Sequence, residues 1–166
     1  MIIEAFLDFH PPTATAQHKG VRTWRKKAAD GKVKTHVQFF KKSDLVRAEA
    51  MLRIQLEKHV PLAPMVGPLK LTATWTFDWF KYEMPARRAG ELPQWIPSTG
   101  WPDCSNIIKL FEDVMTSLHF WKDDSHVASL WVRKGRGDRP GIHLRIEPYV
   151  TDYVPPEGDV EPEIDL

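Results

Sequence analysis

Between Trp101 and Val132 the sequence gathers residue types that can handle a phosphodiester. Asp103, Asn106, Lys109 and Asp113 follow one another at short intervals, and Trp121-Lys122-Asp123-Asp124 comes soon after. Asn106, Lys109 and Asp113 are three and four apart, so on a helix they share one polar stripe. A hard cation such as Mg2+ takes one or two carboxylates together with water and substrate phosphate oxygens. In that setting a metal activates water, polarises the phosphate and stabilises the leaving oxygen. A nearby ammonium offsets the charge that builds in the transition state. Each residue also has an ordinary structural role. Asp103 or Ser105 suits a helix N-cap, Lys109–Asp113 an i,i+4 surface pair, and Asp123-Asp124 a turn. His119 and His126 lie nearby and read as structural rather than as ligands.

The elements that must position these groups are legible from periodicity. Ile2–Phe9 alternates loosely and stops at Pro11-Pro12, which predicts an opening strand and a turn. Thr13–Lys42 is polar and basic, with Asp30-Gly31 as a hairpin turn signal and Val33–Phe40 as a strand. Ser43-Asp44 offers an N-cap for a helix over Leu45–His59, which Pro61 ends. Leu69–Trp79, rich in β-branched and aromatic residues, predicts a strand. Lys81–Trp101 is punctuated by Pro and Gly throughout and reads as a long loop, a length that favours function. A helix over Asn106–Leu118 turns Ile107, Ile108, Phe111, Val114, Met115 and Leu118 to one apolar face. Strands over Val127–Val132 and Ile142–Tyr149 are then joined by a basic, glycine-containing turn. The order predicts an α+β domain, two helices packed on a mixed, largely antiparallel sheet.

Charge is distributed unevenly. The formal net charge is only +1, but Thr151–Leu166 carries six acids and no Lys or Arg, which leaves residues 1–150 at +7. Lys19, Arg22, Arg25, Lys26, Lys27, Lys32, Lys34, Lys41, Lys42 and Arg47 crowd one segment against Asp30 and Asp44. Arg133, Lys134, Arg136 and Arg139 form a second cluster. Two basic segments on a small domain are the footprint of a polyanion. A solvated surface with exposed turns is the alternative reading.

Length and composition set the frame. A chain of 166 residues is expected to form one domain, here 1–150, with 151–166 as an acidic, disordered tail. Seven Trp and eight Phe exclude wholesale disorder. The single Cys104 excludes a disulfide framework and a Cys-rich zinc site. The longest uncharged stretches, His59–Leu69 and Leu92–Pro102, contain Pro and fall short of the ~18–20 apolar residues that span a membrane. Met1–Pro12 has no basic residue and does not read as a signal peptide. A soluble, cytoplasmic protein without a membrane partner is expected.

Pro102-Asp103-Cys104-Ser105-Asn106-Ile107-Ile108-Lys109, then Asp113, then Phe120-Trp121-Lys122-Asp123-Asp124-Ser125-His126-Val127, resembles the signature of the RusA family of Holliday junction resolvases. That signature reads Pro-Asp-x-Asp-Asn-x-x-Lys, a helical Asp, and Asp-Asp-x-Gln-Val before a strand ending in a basic residue, here Arg133-Lys134. His10-Pro11-Pro12 and Gly67-Pro68-Leu69 are similar to phage and prophage members. The resemblance implies a homodimeric, Mg2+-dependent endonuclease (Mn2+ can substitute) that resolves four-way DNA junctions by paired nicks in recombination and repair. It implies Asp103 and Asp124 as metal ligands, Lys109 as the cation near the phosphate, and Asp123 and Asp113 as supporting acids. Asp103, Lys109, Asp124 and Asp123 form the implied catalytic set. Lys19, Arg22, Arg25, Lys26, Lys27, Lys32, Lys34, Arg133, Lys134 and Arg136 are the expected DNA contacts.

Two positions depart from the pattern. Ser105 stands where the family has a second Asp, and His126 where it has Gln. A hydroxyl can still ligate Mg2+, so Ser105 keeps the metal-site position with one anion fewer. A catalytically weakened or inactive branched-DNA-binding protein of the same fold is the rival expectation. A structural or protein-interaction domain is the third, and it predicts no preference for junctions.

Overall fold

The computed structural model describes residues 1–15, 19–27 and 32–150. In chain order these form β1 (Ile3–Leu7), β2 (Lys19–Lys27), β3 (Val33–Lys41), α1 (Ser43–Leu56), β4 (Leu69–Phe77), α2 (Met84–Arg88), β5 (Trp95–Pro97), α3 (Cys104–Ser117), β6 (Val127–Gly137) and β7 (Gly141–Pro148). Single 3-10 turns cover Glu57–His59 and Asp124–His126. The main sheet runs β1-β7-β4-β6-β5, with β4 and β6 parallel and the other pairs antiparallel. The expected α+β class and mixed sheet are what the chain adopts. No helix among the described residues is long and apolar enough to cross a membrane.

One face of the sheet carries the core. Register places Leu71 opposite Ile146, Ala73 opposite Leu144, and Trp75 opposite Ile142, with Ala5 and Leu7 continuing onto β1. All are buried, and they join Leu45, Ala48, Leu52 and Leu56 of α1 and the apolar face of α3 in one cluster. The period-2 and period-3.6 patterns therefore meet in a single layer of side chains. Trp75 and Phe111 lock α3 to β4 edge to face, with centroids 5.0 Å apart.

The hairpin β2–β3 stands apart from this layer as a two-stranded sheet of its own. Its register is unbroken from Lys19–Lys41 to Lys27–Val33. The turn expected at Asp30-Gly31 and the tail expected from Thr151 onward lie outside the described residues.

Three expectations are corrected. Lys81–Trp101 is not a structureless loop, because it holds α2 and β5. Pro85 sits in the first turn of α2, where a missing N–H costs nothing, and β5 is an edge strand that tolerates Pro97. The basic segment from Arg133 is not a turn either, since β6 continues to Gly137. A Cβ on Gly135 would lie 2.3 Å from the Ile96 carbonyl oxygen and the Trp95 ring, so glycine here admits β5 rather than bending the chain. Finally, α1 begins at Ser43 with Lys42 at the N-cap position, and no side chain caps it.

Candidate active site

Helix α3 and the segment that follows it carry the candidate residues. The apolar residues Ile107, Ile108, Leu110, Phe111, Val114 and Met115 bury one side of α3, which leaves Ser105, Lys109 and Asp113 exposed. His119, at φ 64°, ends the helix in the left-handed conformation. Phe120 and Trp121 are fully buried. The Trp121 indole donates to Thr116 Oγ1 at 2.7 Å, and the Met65 N–H donates to the Phe120 carbonyl at 2.8 Å. This anchor fixes where Asp123 and Asp124 emerge.

Lys109 is the hub. Its Nζ donates to Asp124 Oδ2 at 2.7 Å and lies 3.1 Å from Asp113 Oδ1. These bonds, Asp124's first, hold the ammonium above its ordinary pKa. Lys109 is therefore a permanent cation at physiological pH. Half of each side chain is solvent-exposed, so the group is open to a substrate and adds little to stability.

Glu112 adjoins this hub and was not singled out from the sequence. Its half-buried carboxyl is pushed up mainly by desolvation, against the pull of Lys109 and with help from Asp124 and Asp113. Continuing the Ser105–Lys109 face by three residues would have found it.

Asp103 occupies the N-cap position of α3, but its side chain makes no capping bond. Its Oδ2 instead accepts from Asn106 Nδ2 at 3.3 Å. Asp123 behaves differently: its Oδ1 accepts from the Ser125 N–H at 3.0 Å. Bonding to Ser125 holds Asp123 below its ordinary pKa. His126 Nδ1 lies 3.2 Å from the Gly67 carbonyl oxygen, a structural contact.

The structure thus brings Lys109, Asp113 and Asp124 together. It does not draw Asp103, Ser105, Asp123 and Asp124 into a closed cluster: among the described residues, no group of three or more His, Cys, Asp or Glu is arranged as a metal site. The donor chemistry nevertheless suits Mg2+, which keeps several waters and asks for only one or two carboxylates. Asp103 is released from capping, and Asp124 has a second oxygen beyond the one Lys109 takes.

The basic residues divide in two. Arg22, Arg25, Lys26, Lys27 and Lys34 are exposed on the β2–β3 hairpin, and Lys32 is exposed just before β3. The side chain of Lys19 lies outside the described residues. On β6, Arg133 is exposed, whereas its two basic neighbours are engaged internally. Lys134 Nζ donates to the carbonyls of Gly100 and Pro102, the latter at 2.6 Å. Arg136 makes a two-pronged pair with Glu83, Nε–Oε2 2.7 Å and Nη2–Oε1 2.7 Å, and donates to Ser98 Oγ at 2.7 Å. Both fasten the Lys81–Trp101 segment to the sheet, and Lys134 does so next to Asp103. Sequence reasoning gave them to DNA because it read a turn where β6 runs on.

This geometry sits in a chain whose residues 7–147 match the family model described as Endodeoxyribonuclease RusA. The protein belongs to the RusA endodeoxyribonuclease family. It is also 28% identical over 134 residues to the crossover junction endodeoxyribonuclease rusA of Lactococcus phage r1t, covering 80% of this chain and 87% of that relative. The RusA match runs from Leu7, the last residue of β1, to Glu147 in β7, so it embraces both the α3 site and the hairpin.

Proposed function

We propose that this RusA-family protein is a Mg2+-dependent, structure-specific endonuclease that resolves four-way DNA junctions by paired nicks. It would act as a homodimer in the cytoplasm of a bacterial host, in recombination and repair. The observation that carries the reading is the Lys109–Asp124–Asp113 hub, which lies within the residues that match the family model. Asp103 and Asp124 would hold the metal, with Ser105 and Asp123 beside them. When bound, Mg2+ supplies an activated water and charge neutralisation at the phosphate. The protein's own part is electrostatic and positional. The Lys109 ammonium neutralises charge developing on the phosphate oxygens without needing to change protonation. Lys134 holds the backbone just before Asp103.

Two nicks in one junction require two sites related by a two-fold axis, which a C2 dimer provides. The hairpin cations would hold phosphates without reading sequence. The test is cleavage of a synthetic four-way junction beside an equal-length duplex, with Mg2+, Mn2+ or EDTA. Metal-dependent, paired cuts confined to the junction are expected. Junction binding in EDTA with no cleavage in either metal would replace the proposal with the inactive branched-DNA binder that Ser105 raises. Equal binding of junction and duplex, without cleavage, would leave neither.

A further inference from the structure

The β2–β3 hairpin has two chemically different faces. Antiparallel register puts Gly20 with Phe40, Arg22 with Gln38, Trp24 with His36, and Lys26 with Lys34 on one face. The other face carries Val21, Val33, Val37 and Phe39 among Thr and basic residues. On the first face the Trp24 and His36 rings stack at 5.4 Å between centroids and 9° between planes. Trp24 is 44% exposed. The arm lies outside the main sheet, and its rings are not part of the core.

Trp24 keeps nearly half of its surface exposed, and its ring packs on His36 rather than in the core cluster. Arg22, Lys26 and Lys34 flank it, while β2 and β3 contain no Asp or Glu. Aromatic rings set among phosphate-binding cations are the combination that holds unpaired bases, because every base has a π face.

We propose that the Trp24–His36 pair is a stacking site for an unpaired base, used at the open centre of a branched DNA. The inference rests on the functional reading above and names the part of the substrate that the arm grips. Its occupant is nucleic acid rather than protein because the charged side chains of the two strands are all basic.

Three probes in EDTA test it: a four-way junction with 2-aminopurine at the branch point, the equal-length duplex, and an oligothymidine strand. Trp24→Ala is expected to weaken junction and oligothymidine binding about tenfold, with the duplex little changed and the salt slope unaltered. Trp24→Phe should retain most of the affinity. The branch-point fluorescence should change on binding of the wild-type chain and not of Trp24→Ala. Val37→Ala, on the opposite face, should leave all three affinities unchanged, which separates ring loss from damage to the arm.

Wild-type cleavage of the junction with Trp24→Ala binding unaltered would overturn the inference and leave the nuclease reading intact. Trp24-dependent oligothymidine binding without junction cleavage would support the stacking site and count against the nuclease. If Trp24→Ala instead changes the oligomeric state and weakens all three probes equally, the face is a protein interface and the inference falls.

Discussion

At the scale of single residues, the proposed metal site turns on which carboxylates are left free. Asp103 is released from capping and Asp124 gives Lys109 only one oxygen, so either Asp103→Asn or Asp124→Asn should abolish junction cleavage. Binding in EDTA should be unchanged or tighter, because a charge that repels phosphate has gone. A cleavage assay paired with a gel shift checks both. Ser105 is exposed in the first turn of α3, where an added acid is favoured by roughly 0.3–1 kcal/mol. Ser105→Asp should therefore fold normally and raise cleavage at low Mg2+ about tenfold, or ~1.4 kcal/mol of transition-state stabilisation. Superimposable Mg2+ titrations for the two proteins would place Ser105 outside the metal's reach. The Lys109–Asp113 pair was legible beforehand from helical spacing. Asp124's arrival at the same ammonium was not, because it depends on how Phe120 and Trp121 bury themselves beneath α3.

At the scale of elements, the connection between β4 and α3 is organised by strand β6. Lys134 and Arg136 fasten it at Gly100, Pro102, Ser98 and Glu83. If Lys134 positions Asp103, Lys134→Met should lower kcat while leaving junction affinity in EDTA and its salt slope near wild type. A phosphate-contacting lysine would lose affinity instead. The Glu83–Arg136 pair is largely buried, with side-chain exposures of 9% and 13%. Arg136, chiefly by hydrogen bonding, holds Glu83 below its ordinary value of 4.5. A lowered carboxylate pKa contributes stability that is present above the unfolded value and lost as pH falls through the folded one. Glu83→Gln should thus cost about 2 kcal/mol at pH 7, and the Tm gap to wild type should narrow as pH falls below the ordinary carboxylate value of 4.5, as thermal melts across pH would show. Helices α1 and α3 follow from apolar spacing alone. β5 and the far half of β6 do not, because glycine signals a turn locally and only the Trp95 ring lying against Gly135 explains it as a site of close approach.

At the scale of the whole molecule, charge is separated from chemistry. Acids gather around α3 and cations on the hairpin arm, so DNA bound along the arm need not cross the carboxylates except at the bond to be cut. Strand register sharpens what salt should reveal. Arg22, Lys26 and Lys34 share the face of the Trp24–His36 stack, whereas Arg25 and Lys27 share the apolar one. Each phosphate contact releases counterions and adds about 0.9 to the slope of log K against log salt on duplex arms. If the stacking face meets DNA, replacing Arg22, Lys26 and Lys34 with Ala should lower the junction slope by about 2.7. Replacing Arg25 and Lys27 should lower it by well under 1.8, the value expected if both touched phosphate. Affinities measured across a salt series for the two variants decide between a one-sided and a two-sided arm. Equal loss per residue in the two variants would mean that DNA wraps both faces, and the apolar face of Val21, Val37 and Phe39 would then be closed to a second protomer.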